Sequence, residues 1–555
     1  MDKTELLGYT PAAPYRTAVA YFAMEYAIDQ SLKTYAGGLG FLAGSHLRSA
    51  YHLQQDFIAV GLLWKYGYYD QVRDTTNHMT GVFIEKHYSF LKDTGIMFTV
   101  TVHQAPVHVK AYLLPAETFK SAPLFLLSTD IPENDELSRS ITYKLYDANE
   151  ETRIAQNIVL GIGGAMLLDI LGLTPDVYHM NEGHAVALNF YLYDKFRNLA
   201  DVKKRVVFTT HTPEMAGNEA HSFALLDTMS FFYRLNQAQV RGLLQISGDQ
   251  FNYTLSALKF ARKANGVSQM HTQVASRMWD GNTGICPIIA ITNAQNQDYW
   301  ADAALGGAIQ RNDVREFSKR KKELKRELFQ IVADQCGKLF QEDVLTIVWA
   351  RRFAGYKRPE LLMLDWDRFV QLVSQIRYPV QVIWAGKPYP GDEGGIAQFN
   401  RLIDRTGAFV NCAVLTGYEL QLSGVLKRGA DVWLNTPRLY HEASGTSGMT
   451  AAMNGTINLT IPDGWVPEFA RDQVNCFCIP TAPPELTETE KDQWENRALS
   501  EVLVQRVLPL YYDRPEDWFQ MARTAFDHIN PAFESDRLAR QYYQELYGEQ
   551  PHGTG

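Results

Sequence analysis

LTIVWARRFAGYKRPELLMLDWDRFVQLVSQIRYPVQVIWAGK, residues 345–387, contains the fold in miniature. It opens on a short β-rich run that ends in two arginines and closes on a second such run ending in Gly386 and Lys387. Between them LLMLDWDRFVQLVSQI carries apolar residues at helical spacing. A strand, a helix and a strand in this order predict a βαβ unit with parallel strands. Further along, FVNCAVLTG (409–417), ADVWLNTPR (430–438) and TINLTIPDG (456–464) alternate with the helical stretches IAQFNRLIDRTG and LQLSGVLKRG. The whole predicts a doubly wound parallel sheet, in which ligands bind at the carboxyl ends of the strands. Those ends carry Arg351, Arg352, Lys387 and Arg438, with Lys357 and Arg358 just beyond the first, so several cations are expected to converge on one edge.

The first half has strands of its own in VAYFAM (19–24), FIAVGLLW (57–64), VVFTTHT (206–212) and IIAITNA (288–294). Its unusual residues also follow strands: AGGLG at 36–40, HMNEGH at 179–184 and TTHTP at 209–213. The expected organisation is an N-terminal α/β domain over 1–298 and a C-terminal α/β domain over 299–500, two doubly wound domains facing across a cleft. A helical tail, 501–555, is expected to pack back across the domain junction through its aromatics.

The chain has 555 residues, 46% hydrophobic and 21% charged, which is ordinary globular usage and enough for two large domains. A net charge of -9 argues against a nucleic-acid partner, and the basic run SKRKKELKRE (318–327) reads as a solvated helix face. Five scattered cysteines match no zinc spacing and fit a reducing cytoplasm; no metal is expected. The first residues have no apolar core of signal-peptide length, and no membrane association is expected.

EASGTSGMTAAMNG, residues 442–455, packs small residues into a turn and then runs into Ala and Met. It reads as a loop opening a helix, where free backbone N–H groups and the close approach allowed by Gly445 and Gly448 suit an anion.

Together YFAMEYAIDQSLKTYAGGLGFLAGSHLRSA, VGLLWKYGYY, VYHMNEGH, TTHTP, GVSQMHTQVASRMW, ITN, ARRFAGYKR, AGKPYPGDE, DVWLNTPR, EASGTSGM and DGW resemble the glycogen and starch (α-glucan) phosphorylase family, in its short bacterial form. The resemblance runs in order over roughly residues 17–545. It implies the two-domain GT-B glycosyltransferase fold. It also implies transfer of a glucosyl unit, with retention, between an α-1,4-glucan and phosphate, with pyridoxal phosphate as the acid/base group. By the same resemblance Glu442, Ser444, Gly445, Asn293, Tyr356 and His211 surround the sugar, and a histidine at a strand end is well placed to donate to a sugar oxygen. Arg352 and Lys357 clamp the substrate phosphate, a pairing of bidentate fork and point charge that suits phosphoryl oxygens, with the Gly38 N–H as third contact. Thr446, Ser447 and Arg351 lie under the coenzyme phosphate and Tyr418 against its ring, while Glu182 and His184 line the cleft.

The pattern breaks at Thr450, where the resemblance implies the lysine that binds pyridoxal phosphate as an imine. Threonine has no amine, so covalent attachment there is chemically excluded, and the next lysine along the chain is Lys491. Further departures fall at Ala294, Ser45, Gln269 and in DGWVPEF. The expectation is therefore a phosphorylase-like hexosyltransferase with no covalent cofactor, using a nucleotide sugar or sugar phosphate as donor and a glucan or small acceptor. The alternatives are a phosphorylase with non-covalent cofactor and an inactive homologue that binds glucan or a partner protein. A homodimer is a further expectation from the family.

Overall fold

The computed structural model describes residues 3–548. The chain divides into two compact units. The first takes the chain up to Tyr69, Phe83–Asn293 and the chain from Ser535 onward; the second takes Asp70–Val82 and Ala294–Glu534.

The first unit is built on β1 (Val19–Phe22), β2 (Phe57–Leu62), β3 (Lys92–Val102), β4 (Ala105–Leu114), β5 (Leu124–Ser128), β6 (Val177–Asn181), β7 (Val206–Thr209), β8 (Lys263–Gly266) and β9 (Ile288–Ala290). They form one sheet in the order β9-β8-β7-β6-β1-β2-β5-β4-β3. It is parallel from β9 to β5, and β4 and β3 extend it antiparallel. The strand order reverses between β1 and β6, so the carboxyl ends of these two flank the crevice of a doubly wound sheet. Every residue of β1 and β2 is buried, which is how strands covered on both faces read. Helix α1 (Gly38–His52) packs on β2, and α2 (Glu150–Ile170) packs on β2, β3 and β5. Among the described residues α2 alone is long and apolar enough to cross a bilayer, but most of it is buried against this sheet, as in any core helix.

The second unit carries β10 (Leu345–Ala350), β11 (Val380–Ala385), β12 (Cys412–Leu415), β13 (Val432–Asn435), β14 (Ile457–Thr460) and β15 (Phe477–Cys478). The order is β12-β11-β10-β13-β14-β15, parallel throughout, as the alternating runs around residues 345–387 lead one to expect. The topological switch point lies between β10 and β13, and the loop after β10 holds the two arginines. Its helices include α3 (Val314–Cys336), α4 (Leu420–Gly429), α5 (Ser447–Ala452) and α6 (Pro515–Phe533). Helix α4 packs on both α3 and α5.

Three expectations are corrected. The basic run of α3 is not simply solvated: Lys325 is buried and pairs with Asp431 at 2.6 Å. Lys321 is buried too, its side-chain nitrogen donating to the Arg428 and Asn454 carbonyls and Thr456 Oγ1 at 2.9–3.2 Å. Secondly, the expected tail 501–555, of which 549–555 lie outside the described residues, does not pack as one piece. Trp518, Phe519 and Phe526 of α6 fill the core of the second unit, and α6 ends at Glu534, whose backbone is extended. The helix Ser535–Gln541 belongs instead to the first unit, where Ser535 meets Ser49 at 2.6 Å and Asp536 meets His52 at 2.7 Å. Thirdly, the division between units falls after Asn293 rather than 298, and the hairpin Asp70–Val82 belongs to the second unit. There Gln71 donates to the Gly386 carbonyl at 2.9 Å and Met79 enters the core.

Candidate functional site

In the first unit the site residues cluster where the topology places a crevice, at the carboxyl ends of β1, β6, β7 and β9. Just past β1, Glu25 accepts from the backbone N–H of Ala36 at 2.7 Å and of Gly37 at 3.0 Å, and from Tyr146 Oη at 2.7 Å. The glycine loop is therefore shaped by an acid of the protein itself. A Cβ on Gly40 would come within 2.8 Å of that carboxylate, which is why glycine stands there. Gly38 begins α1, and a Cβ placed on it would meet nothing within 4 Å, so its approach is open.

Past β6, Glu182 has φ +70° and turns its carboxylate onto the next strand end: Oε2 accepts from the His211 N–H at 2.7 Å and from Thr212 Oγ1 at 3.3 Å. Burial raises its pKa. Glu182 is thus the group that fixes the THTP loop. His211 Nε2 lies 2.7 Å from Asn181 Oδ1, and burial, with His271 and His184 nearby, pushes the ring down to about 3. The imidazole is neutral, and one of its two nitrogens is held by the Asn181 side chain. Buried polar atoms without a protein partner surround this edge: Asn181 Nδ2, His184 Nδ1, Thr210 Oγ1 and Asn293 Oδ1. Buried polar groups are ordinarily satisfied, so these four atoms past the ends of β6, β7 and β9 are candidates for contact with a polar ligand.

In the second unit Glu442 is the centre. Its Oε2 takes Arg351 Nη2 at 2.6 Å and also the Lys357 ammonium. Burial works against the charge of Glu442, but the two cations outweigh it and hold the carboxyl down at about 2. Glu442 is therefore a carboxylate at every ordinary pH. This corrects two expectations. Glu442 bonds cations rather than standing free for sugar hydroxyls, and Lys357 is matched by an acid rather than held open. Two cations on one carboxylate still leave a net positive charge, and Arg351 Nη1 is buried with no partner. The convergence of cations at the strand ends is likewise narrower than the sequence suggests. Arg358 is locked by Asp492 at 2.8 Å and Glu495 at 2.5 Å, Arg438 by Glu488 and Asp492 at 2.6 and 2.8 Å, and Lys387 by Glu419 at 3.2 Å.

The small-residue turn wraps around this cluster. Gly445 has φ +84°, and a Cβ there would meet the Glu442 side chain at 3.0 Å; at Gly448 one would meet Asn458 Oδ1 at 2.6 Å. Both glycines accommodate the protein's own groups, which corrects the view that they clear space for a ligand. Gly464 has φ +62°, and the Ser444 carbonyl occupies the place a Cβ would need. Gly464→Ala should therefore cost more than about 1 kcal/mol and displace Ser444; a thermal melt indistinguishable from the wild type's would contradict this. Ser444 Oγ is buried without a partner, Ser447 Oγ lies 3.3 Å from Trp433 Nε1, and Thr446 precedes α5 without a side-chain cap. Helix α5 has only six residues, so its start contributes little field. Thr450 is buried within it, its hydroxyl donating to the Ser447 carbonyl at 3.0 Å. Tyr418 Oη donates to the Ala350 carbonyl at 3.3 Å, and Tyr356 stacks on His441 with Lys357 Nζ 4.6 Å from its ring. Asp463, which accepts from the Glu442 N–H at 2.9 Å, is pushed up to about 6 by burial and by the Glu442 charge. Asn435 Oδ1 and Asp463 are functional candidates that the motifs alone do not single out; each lies at or just past the end of an apolar strand run, which is the signal that points to them.

Comparison with known proteins gives a consistent picture. The model of a family described as carbohydrate phosphorylase matches residues 249–507. An uncharacterised protein of Methanocaldococcus jannaschii is 45% identical over 529 residues, covering 95% of this chain and 99% of that protein. A protein named maltodextrin phosphorylase from Thermococcus litoralis is 32% identical, the alignment spanning 96% of this chain and 70% of that one. A protein named glycogen phosphorylase from Mycobacterium tuberculosis is also 32% identical, with 96% and 71% covered.

Proposed function

Because this chain belongs to the carbohydrate phosphorylase family, with its GT-B fold, we propose that it is a retaining hexosyl (glucosyl) transferase acting between a phosphate-activated donor, sugar phosphate or nucleotide sugar, and a glucan or small acceptor. The observation that carries the reading is the buried Arg351–Glu442–Lys357 cluster with Arg351 Nη1 left without a partner. A buried guanidinium donor beside an ammonium, in excess over one carboxylate, suits phosphoryl oxygens and a leaving phosphate that gains charge.

The residues act in two sets. Arg351, Arg352 and Lys357 bind and neutralise the phosphoryl group. Glu442 orients Arg351 and Lys357, and Ser444 Oγ is available to a sugar hydroxyl. In the first unit Asn181, His184, Thr210 and Asn293 offer atoms for the hydroxyls of a carbohydrate.

Pyridoxal phosphate, the coenzyme that the resemblance implies, would supply a phosphate as an acid/base group beside the substrate phosphate. Arg351, Thr446, Ser447 and Tyr418 are the residues that would hold it, and the partnerless Arg351 Nη1 fits an anion. Attachment through residue 450 does not fit, because Thr450 has no amine and its hydroxyl is engaged within its own helix turn.

The test is incubation of the protein with maltodextrin plus phosphate, and separately with sugar phosphates and nucleotide sugars plus a glucan acceptor, following released phosphate, nucleotide or sugar phosphate. The product distinguishes phosphorolysis from direct transfer. Transfer in either direction is expected to fall by about 10²–10³-fold in Arg351→Ala. Glucan binding with no turnover of any donor defeats the reading in favour of an inactive glucan-binding homologue.

A further inference from the structure

The Cys-Phe-Cys stretch at 476–478 of the second unit has no part in the site described above, yet it brings two thiols together. We propose that Cys476 and Cys478 are a redox modification site, a dithiol that hydrogen peroxide converts to an intrachain disulfide and that thereby sets the packing beneath helix α5.

The two sulfurs lie 4.0 Å apart, and all five cysteines of the chain are free thiols. The loop leading into Cys476 is closed on itself. Asn475 accepts from the Arg471 N–H and donates to the Phe469 carbonyl, both at 2.8 Å, and the Gln473 N–H donates to the Cys476 carbonyl at 2.8 Å. On the far side of Phe477 the Cys478 N–H donates to Asp472 Oδ1 at 2.9 Å, so the second cysteine is tied back to the loop of the first. Residues two apart on an extended segment share a face. Strand β15 consists of Phe477 and Cys478 alone and is the last of its sheet, paired only with β14. Few ladder bonds therefore resist the turn about Phe477 that brings the sulfurs to the roughly 2 Å of a disulfide.

The pair is asymmetric in access and in charge. Cys476 is fully buried, whereas Cys478 is partly exposed. The hydrogen bond from Cys476 holds Cys478 below the ordinary thiol value, against burial and the Asp472 charge, while the same contact and burial raise Cys476. The reachable sulfur is thus the nucleophilic one. Cys286 and Cys412, in contrast, are buried and pushed up to about 12 by that burial. In the first step the Cys478 thiolate attacks one peroxide oxygen; the O–O bond breaks, Cys478 becomes a sulfenic acid, and the released hydroxide takes up a proton to leave as water. Cys476 Sγ then attacks Cys478 Sγ, the S–O bond breaks, and the second hydroxide leaves as water with the Cys476 proton. The two sulfurs lose two electrons, the peroxide gains them, and a thiol reductant reverses the change.

The consequence reaches α5. Cys476 packs with Met449, Ala452 and Met453, in and just after that helix, and with Trp465, and Cys478 lies against the same cluster. The Trp465 N–H donates to the Ser444 carbonyl at 3.1 Å, and a Cβ on Gly448 would come within 3.1 Å of its ring. Close-packed interiors transmit displacements of ångström size, so drawing Cys476 Sγ out of its place loosens the helix that carries the small-residue turn.

This inference does not rest on the transferase reading, and its test needs no turnover. Protein reduced and then freed of reductant is treated with hydrogen peroxide, alkylated and digested with trypsin, which leaves both cysteines on the one peptide 472–491. The expected product is a peptide lighter by two hydrogens than its dithiol form and free of alkyl label; dithiothreitol before alkylation should return it to the doubly alkylated form. Amide exchange across Met449–Met453 should be several-fold faster in the oxidised protein than in the reduced one. Cys476→Ala should stop the reaction at the Cys478 sulfenic acid, which dimedone traps. Peroxide that leaves both thiols open to alkylation, that adds oxygen to Cys478 without forming the bridge, or that forms the bridge with exchange across α5 unchanged overturns the proposal, whether or not the variant folds.

Discussion

Glu442→Ala is expected to lower the stability of the second unit by about 3–5 kcal/mol, because it leaves the buried Arg351 and Lys357 facing one another without their shared counter-ion. Transfer activity should fall with it, since the cations lose the group that orients them. Anion binding should move the other way. In the wild type an incoming phosphoryl group competes with Glu442 for Arg351 and Lys357; in the variant it does not. Phosphate or sulfate should therefore raise the melting temperature of Glu442→Ala more than that of the wild type. Equal shifts in the two proteins would mean that the cations do not face a phosphate site. The pH dependence has a defined sign. The carboxyl is held at about 2, below its ordinary value, so its contribution is complete above about 4.5 and fades only as pH falls toward 2.

The first unit should fail earlier on acidification, for the opposite reason. His46 and His211 are pushed down to about 3 and His271 to about 4, each chiefly by burial. His46 is packed between Tyr21, Phe57 and Tyr542 with its Nε2 unbonded. In the unfolded chain such rings protonate near pH 6.5, while in the folded protein they stay neutral. Below that pH the unfolded state binds more protons, so stability, complete above about 7, is lost as pH falls toward the folded values. Three such rings give a slope of roughly 4 kcal/mol per pH unit near pH 5. Urea midpoints measured from pH 7.5 to 5 should drop steeply, and His46→Phe should flatten the curve. A midpoint that holds steady across this range rules out neutral buried rings.

Much of the second unit is legible in the sequence because its strands are fully buried, near-continuous apolar runs ended by Gly, Pro or Arg, and the period changes cleanly in the helices between them. The state of the cations is not legible. Arg358 finds Asp492 and Glu495 more than a hundred positions away, and nothing local in YKRPE announces that pairing. Glu442 illustrates the same limit: its motif locates it beside the turn, but whether it meets hydroxyls or cations is decided by where the loop after β10 arrives. The exchange of segments at Asp70–Val82 and Ser535 has no counterpart in composition and is set by tertiary packing alone.

That exchange bears on how the molecule is made. The sheet that contains β1 is finished by residues from the far end of the described chain: His179 hydrogen-bonds Tyr547 at 2.8 Å, and Gln55 donates to the Ala539 carbonyl. The second unit has all its pieces once Glu534 has emerged, whereas the earlier-synthesised one must wait, with hydrophobic surface uncovered, until Tyr542, Tyr543 and Tyr547 arrive. The earlier-synthesised unit is thus completed after the later one, and losing the segment from Ser535 to Gly548 would harm the part of the nascent chain made first rather than the part beside the cut.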